Sequence, residues 1–126
     1  EVEQAIEQAI LKTGNIVIEF TVAPRFKSKS LPACHEWFIE FEGNVVEINN
    51  FKSLLDDELQ KQNKYYKDLI DGKIIEKPVI SKIIKGGFKK YMSSIGKLGG
   101  QNKVPKIADN REIADRLKKL NLIESI

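Results

Sequence analysis

The spacing of hydrophobic and polar residues changes several times along the chain, and each change predicts a new element of structure. Apolar residues recur at helical spacing over 2–12, and Gly14 follows as a helix stop. Apolar and polar positions alternate over 15–23 and again over 35–42, which predicts two strands. The connection over 24–34 holds two prolines and is predicted to be a loop, so the two strands are expected to pair antiparallel.

The second half of the chain predicts more helix than strand. The elements expected there are a helix with its apolar stripe over 48–69, a short strand at 74–75, a strand over 79–84, a helix over 88–95 and a closing helix that opens with Asp109 and Glu112. Gly72 is expected to end the first of these helices, and a glycine-rich loop over 96–108 precedes the last. This order predicts an α+β fold: a small two-layer domain in which helices pack against a mostly antiparallel sheet of three or four strands.

Length and composition narrow the class of protein. The chain has 126 residues, 41% of them hydrophobic, which predicts a single domain over 1–126. A chain of this length can bury a core without disulfides or metal ions, and Cys34, as the one cysteine, excludes an intrachain disulfide. No apolar run approaches the ~18 residues of a membrane span, and no basic-then-apolar leader opens the chain. We therefore expect a cytoplasmic protein with no membrane partner.

Charge is distributed unevenly between the two halves of the chain. Residues 1–60 contain five basic and eleven acidic side chains, whereas residues 61–126 contain sixteen basic and seven acidic ones. Between Lys73 and Lys106 there are nine lysines and a single acidic residue, Glu76. Such a cluster indicates either an anionic partner or a requirement for solubility.

Three carboxylates and the one histidine are the first candidates for acid–base or metal chemistry. Glu36, Glu40 and Glu42 share one face of the second predicted strand, where an exposed polar face is expected rather than catalysis. His35 heads the opposite, apolar face, and its neighbour Cys34 is expected to point away from it, which argues against a nucleophile–base pair. With one histidine and one cysteine in the chain, no metal site is predicted.

Tyr66 lies on the apolar stripe of the long predicted helix. A tyrosine in such a position commonly places its ring in the core and its hydroxyl in water. Tyrosine also marks interfaces, so Tyr66 is retained as a possible substrate contact.

The segment 96–106, GKLGGQNKVPK, carries the strongest signal for ligand chemistry. Its three glycines allow backbone conformations closed to other residues and can direct several N–H groups at one anion. Its lysines are suited to phosphate, and its amide side chains add hydrogen-bond donors. No Walker pattern is present, and on chemistry alone a solvated basic loop is as compatible with these residues as a phosphate-binding one. The candidate phosphate-binding residues are Lys97, Gly99, Gly100, Gln101, Lys103 and Lys106.

The same loop is similar to the C-terminal signature of the auxin-responsive Gretchen Hagen family of acyl-acid amido synthetases and its bacterial relatives. Other segments resemble that family in the same order along the chain. KTGNIVIEFTVAP at 12–24 and HEWFIEFE at 35–42 resemble its first two C-domain strands, Leu59, Asn63 and Tyr66 fit its long helix, and ADNREIADRL at 108–117 resembles its closing helix. The resemblance spans nearly the whole chain and is that of a bacterial-type relative.

The resemblance implies one part of a larger ligase of the acyl-adenylate-forming superfamily. In that family a large N-terminal adenylation domain holds most of the ATP and acyl-acid site, and a small α+β C-terminal domain closes over it as a lid. Residues 1–126 resemble the C-terminal domain alone, starting just after the hinge. The implied substrates are ATP with Mg2+, an acyl acid and an amine such as an amino acid. The isolated chain is expected to be inactive and to bind no cofactor, and its partner is expected to be its own N-terminal domain.

The family's Gln-x-Lys-x-Pro-Arg signature implies specific roles for residues of the loop. The family's lysine reaches the ATP phosphates during adenylation and corresponds to Lys103, with Gln101 and Pro105 matching around it, so the resemblance implies that Lys103 is catalytic. An ammonium group there would stabilise the charge that develops on the leaving pyrophosphate. The family's arginine is replaced by Lys106, which keeps the charge but loses the two-pronged geometry. A basic pair of the family is replaced by the apolar residues 69–70, so its contacts do not carry over.

Two other functions stay open on the residues alone. A nucleic-acid-binding module is compatible with the lysine-rich half. Against it, the chain has eighteen lysines and three arginines, whereas base reading favours arginine, and no RNP-like aromatic motif is visible. A protein-interaction module would dock its basic face on an acidic partner, which for a lid domain could be its own N-terminal domain. Salt-dependent, submicromolar binding of nucleic acid would favour the first of these alternatives.

Overall fold

The computed structural model describes residues 1–100 and 102–125 of the chain. The helices and strands of that part are α1 Val2–Thr13, β1 Ile16–Arg25, β2 Cys34–Glu42, α2 Ile48–Gln62, α3 Lys64–Asp71, β3 Val79–Lys82, α4 Gly87–Ser94 and α5 Glu112–Lys119. They form a small α+β domain, as the sequence predicts. None of the described helices is long and apolar enough to cross a membrane.

The described strands form one mixed sheet in the order β1-β2-β3. β1 and β2 pair antiparallel, as predicted. β3 pairs in parallel with β2, because the chain returns through α2 and α3 before it reaches β3. Residues 74–75 do not form the expected short strand; they lie in a bend, where the Ile74 N–H donates to the Leu69 carbonyl at 2.9 Å. The sheet therefore has three strands within the described residues, and one of its two pairings is parallel.

Helices cover both faces of the sheet, so the domain has three layers where two were predicted. On one face, apolar residues of β1 and β2 pack with α1, α2 and α3; on the other, Ala23 and Phe38 pack with α4 and α5. Phe38 accounts for much of this difference, because it is 1% exposed although it shares its strand face with glutamates. Burial of one such side chain contributes about 1.5–3 kcal/mol, so the burial of Phe38 favours the packing of α4 and α5 on this face.

A β-bulge in β1 interrupts the predicted alternation. The pairing register shifts between Val17 and Glu19. Val17 therefore packs with Phe20 on the side of the sheet that α1, α2 and α3 cover, while Ile16 and Ile18 are exposed. One extra residue in a strand reverses the direction of the side chains on its far side. The alternation over 15–23 would put Ile16 and Ile18 on the same strand face as Phe20, but the bulge leaves both exposed, and Ile18 lines a surface pocket.

The long predicted helix is two helices that meet at Asn63. The Asn63 backbone is extended, and its Oδ1 accepts a hydrogen bond from the Tyr66 N–H at 2.9 Å, which caps the start of α3. α2 ends at the same residue, whose N–H donates to the Leu59 carbonyl at 3.0 Å. The predicted apolar stripe survives the break, because Phe51, Leu55, Leu59 and Tyr66 are all buried.

Candidate functional site

The carboxylate of Glu40 fixes the start of α4. It accepts hydrogen bonds from the N–H groups of Gly86 at 2.9 Å and Phe88 at 3.2 Å, and the residue is only 3% exposed. Gly86 has a φ of 76°, which favours glycine, and a side chain at Gly87 would overlap Ile83. The prediction of an exposed polar strand face is therefore wrong for Glu40, which holds a helix that begins more than forty residues later.

The end of α4 determines where the glycine-rich loop starts. The N–H of Gly96 donates to the Ser93 carbonyl at 3.0 Å, and the N–H of Lys97 donates to the Met92 carbonyl at 2.9 Å. With Gly96 in the left-handed region at φ 71°, this is a Schellman ending of the helix. Lys97 is therefore held at a defined position relative to α4.

The other end of the loop is attached to β1. The buried Thr21 donates its hydroxyl to the Pro105 carbonyl at 2.7 Å. The Val22 N–H donates to the Lys106 carbonyl at 2.9 Å, and the Ala108 N–H donates to the Val22 carbonyl at 2.8 Å. The exit of the loop thus runs as a short parallel extension of the sheet, and Lys103 lies two residues before this anchor.

The middle of the loop contains the two predicted phosphate-binding glycines. Gly99 and Gly100 have φ values of 89° and 63°, and nothing lies within 4 Å of the place where a side chain would start. Backbone conformation, rather than crowding, therefore favours glycine at both positions. The backbone and side-chain N–H groups of Asn102 donate to the Gly99 carbonyl at 3.4 and 3.3 Å. Gln101, the remaining predicted contact, lies outside the described residues.

A pocket of about 350 Å³ lies between α4 and the loop. Its apolar wall includes Phe88, Met92 and Val104. The lysines that line it are Lys85, Lys89, Lys97 and Lys103, and all four are exposed. The structure therefore brings the predicted residues Lys97, Gly99 and Lys103 together on one pocket.

The two carboxylates that line the same pocket already have partners. Glu40 accepts the two N–H groups of α4, and Glu19 accepts the Nζ of Lys106 at 2.7 Å. By contrast, none of the four lining lysines forms a side-chain hydrogen bond or an ion pair with another residue in the part of the chain that the structure describes. The pocket is consequently a cationic site.

Lys106 is separated from the other predicted phosphate ligands. Its Nζ lies 2.7 Å from Glu19 and 4.7 Å from the centre of the Phe20 ring, and Lys106 does not line the pocket. The ion pair is partly shielded, with 36% of the Lys106 side chain and 21% of the Glu19 side chain exposed. A phosphate contact by Lys106 stays a prediction, and a phosphate there would share the ammonium group with Glu19.

Tyr66 lines a different pocket, of about 390 Å³, next to His35 and Ile107. Its hydroxyl donates to Asp56 Oδ1 at 2.8 Å, and its ring stacks on His35 with ring centres 5.4 Å apart. Burial, followed by the hydrogen bond to Asp56, raises the pKa of Tyr66, so its hydroxyl stays protonated and acts as a donor. A substrate contact by Tyr66 stays a prediction, and the structure does not place Tyr66 on the pocket that holds Lys103.

Cys34 is buried and His35 packs against Tyr66, in keeping with the structural roles expected for them. Burial raises the pKa of the Cys34 thiol, which lowers the fraction of the nucleophilic thiolate. Burial lowers the pKa of His35, whose ring lies against Tyr66. Among the described residues, no group of three or more histidine, cysteine, aspartate or glutamate side chains could hold a metal ion.

The sequence analysis did not single out Lys85 and Lys89, which line the pocket. The lysine count over 73–106 includes both, but nothing local distinguishes them from the other lysines of that segment. Their four-residue spacing is no signal either, because Lys85 precedes the helix and is separated from it by Gly86, whose backbone is left-handed, so the i, i+4 rule for helices does not apply to the pair. Only the packing of α4 beside the loop shows that Lys85 and Lys89 line the same pocket as Lys97 and Lys103.

Comparison with known proteins gives the family. The model of the GH3 family C-terminal domain matches residues 1–112. Two solved structures share the fold: GH3.15 acyl acid amido synthetase, with a TM-score of 0.75, and AtGH3.15 acyl acid amido synthetase in complex with 2,4-DB, with a TM-score of 0.74. Each is 18% identical to this chain and is matched over 98% of it, and the chain spans 22% and 23% of their respective lengths. No match was found among curated proteins. The expected kinship with the Gretchen Hagen family is thereby confirmed, and the chain belongs to the GH3 family as its C-terminal domain.

Proposed function

We propose that this chain is the mobile C-terminal domain of an ATP-dependent acyl acid amido synthetase, and that it supplies Lys103 to the phosphates of ATP. Membership of the GH3 family carries the proposal, and the position of Lys103 on a cationic pocket supports the role of the lysine. Two solved proteins with the same fold are described as acyl acid amido synthetases. Since the chain spans about a fifth of each, most of the active site would belong to an N-terminal adenylation domain.

The first reaction would be adenylation. The carboxylate of an acyl acid attacks the α-phosphorus of ATP, the α–β bridging P–O bond breaks, and pyrophosphate leaves with the electron pair. Negative charge grows on the leaving pyrophosphate as that bond lengthens. A positioned ammonium group stabilises this charge more in the transition state than in the ground state, which is the condition for rate acceleration.

The second reaction would be transfer. An amine, such as that of an amino acid, attacks the carbonyl carbon of the acyl adenylate, AMP leaves, and the amine loses a proton as the amide forms. Lys103 would have a smaller role here, because pyrophosphate has already departed. A reorientation of the C-terminal domain between the two reactions would withdraw the lysine and admit the amine.

The anchoring of the loop suits a domain that moves as a unit. Hydrogen bonds from Gly96 and Lys97 hold its start, and those to the carbonyls of Pro105 and Lys106 hold its exit. Lys103 would therefore reach ATP through rotation of the whole domain rather than through a search by a free loop. No metal-ligand cluster occurs among the described residues, so we assign none of them to Mg2+.

The test uses the full-length protein that carries this domain. Lys103→Ala should lower acid-dependent ATP–pyrophosphate exchange by about 10²–10³-fold, the scale found when one donor to a developing charge is removed. Amide formation from a supplied acyl adenylate should change by less than about 3-fold, because that step lacks the pyrophosphate.

Lys118→Ala is the matched control, because Lys118 is an exposed lysine on α5 that does not line the pocket. It should leave both half-reactions unchanged. An equal loss of both half-reactions in Lys103→Ala would contradict the role of Lys103 in adenylation. A full-length protein with no acid-dependent exchange for any acyl acid would contradict the proposed activity itself.

A further inference from the structure

We propose that Lys85 and Lys89 form, with Lys97 and Lys103, a binding site for the compact polyphosphate of pyrophosphate or of the β,γ end of ATP. This inference deepens the proposed function and rests on it for the identity of the anion. It adds two lysines on α4 and its preceding turn to the single lysine that the loop signature singles out.

Three of the four lysines are held by backbone anchors at the two ends of α4. Lys85 immediately precedes Gly86, whose N–H donates to Glu40, and Lys89 lies in the first turn of the helix that Glu40 caps. Lys97 follows the Schellman ending of the same helix. Because α4 is short and fixed at both ends, the backbone positions of these three lysines relative to each other are restricted.

The charge balance of the pocket favours a multiply charged anion. Four lysines line the pocket against two carboxylates, and one of these, Glu19, is paired with Lys106, so the lining keeps an excess of positive charge even with the carboxylate of Glu40 counted. Ammonium groups gathered around one cavity repel each other, and a single carboxylate would relieve only part of that repulsion. Pyrophosphate, with several charges in a small volume, would relieve more of it.

The shape of the pocket argues for a compact anion rather than a nucleic acid strand. Binding of single strands uses an extended groove with exposed aromatic rings on which successive bases stack. Here the cavity is about 350 Å³, and its one aromatic lining residue among the described residues, Phe88, is 4% exposed. The phosphate chemistry is therefore separated from any base-stacking surface.

The experiment measures binding of inorganic pyrophosphate to the full-length protein by titration calorimetry at fixed ionic strength. The double variant Lys85→Ala/Lys89→Ala should raise the dissociation constant for pyrophosphate by about 10-fold or more, since two of the four lysines that line the pocket are removed. The matched control is Lys90→Ala/Lys118→Ala, which removes the same charge from exposed positions outside the pocket, one of them on α4 itself. The control should change the constant by less than about 2-fold, because distant exposed charges are screened by salt.

The outcomes separate this inference from the proposed function. If Lys103→Ala abolishes pyrophosphate exchange while Lys85→Ala/Lys89→Ala leaves pyrophosphate affinity unchanged, the inference is overturned and the proposed function stands. Equal weakening in the double variant and its control would also overturn it, because it would reduce the effect to net charge. If a single-stranded oligonucleotide binds more tightly than pyrophosphate and the double variant loses that binding, the ligand of the pocket is a nucleic acid and the inference is overturned.

Folding of the variants is checked by circular dichroism. If the alanine double variant loses helix content, Lys85→Gln/Lys89→Gln repeats the measurement with longer side chains that keep hydrogen-bonding capacity but carry no charge. An unchanged pyrophosphate affinity in the folded glutamine variant would overturn the inference.

Discussion

Replacing Glu40 with alanine should destabilise the domain and disorganise α4. The carboxylate is buried and accepts two backbone hydrogen bonds, from Gly86 at 2.9 Å and Phe88 at 3.2 Å. Alanine would remove both acceptors and leave two N–H groups at the start of a helix without a partner. The helix that would be affected carries Lys89 and ends at the loop that holds Lys97.

The expected loss follows from the number and kind of these bonds. A hydrogen bond to a charged group contributes about 1.5–3 kcal/mol, and a buried donor left without a partner costs about 1–3 kcal/mol. The two bonds share one carboxylate, so their contributions are not additive, and we expect a total loss of about 3 kcal/mol. That is a large fraction of the ~5–15 kcal/mol by which domains are usually stable. Glu40→Gln keeps one acceptor oxygen and should lose about half as much.

Urea unfolding of the 126-residue chain, followed by circular dichroism, measures the free energy of unfolding for each variant. Glu42→Ala is the control, because Glu42 lies two residues further along the same strand and is exposed. The control should stay within about 0.5 kcal/mol of the parent protein, as exposed substitutions usually do. If Glu40→Ala is as stable as Glu42→Ala, the helix-capping role assigned to the carboxylate is wrong.

Two further predictions concern predicted site residues that the structure has placed outside the lysine-lined pocket. Lys106→Met should lower the free energy of unfolding by less than about 1 kcal/mol, because its ion pair with Glu19 is partly exposed. Lys106→Met and Glu19→Gln should each cause only a small change in the rate of pyrophosphate exchange. A large loss of exchange in Lys106→Met alone would indicate that Lys106 contacts phosphate. Tyr66→Phe should lower the free energy of unfolding by about 1–2 kcal/mol because Asp56 loses a donor, with KM for acyl acid and amine unchanged; a raised KM at unchanged stability would instead support the predicted substrate contact.

The elements of the fold were predictable because their patterns are local. Alternation identified β1 and β2, and helical spacing identified α1 and the stripe that runs through α2 and α3. The bulge at 17–19 was not predictable in this way, since the alternating pattern of Ile16, Ile18 and Phe20 is continuous in the sequence and nothing local marks the extra residue. The parallel pairing of β3 depends on the path of the intervening helices, which no short window of sequence contains.

Carboxylates whose partners are distant in sequence explain why the second helical layer was missed. Glu36 and Glu40 made one face of β2 look polar, but Arg111 donates to Glu36 at 2.8 Å across 75 residues of sequence, and α4 donates to Glu40 across more than 45. A buried charge with such partners has the same local sequence signature as an exposed one. Phe38, between the two, was the one apolar sign that this face is covered.

The two anchors of the glycine-rich loop have a consequence for how its lysine can act. Thr21 holds the Pro105 carbonyl across 84 residues of sequence, and the Schellman ending of α4 holds Lys97, so both ends of the loop belong to the packed body of the domain. A lysine on a loop anchored in this way moves together with the whole domain. If Lys103 contacts ATP in one reaction and leaves it in the next, the change must come mainly from rotation of the domain about its connection to the rest of the protein. Mutations at that connection should then alter both half-reactions, whereas mutations of Lys103 should alter mainly the first.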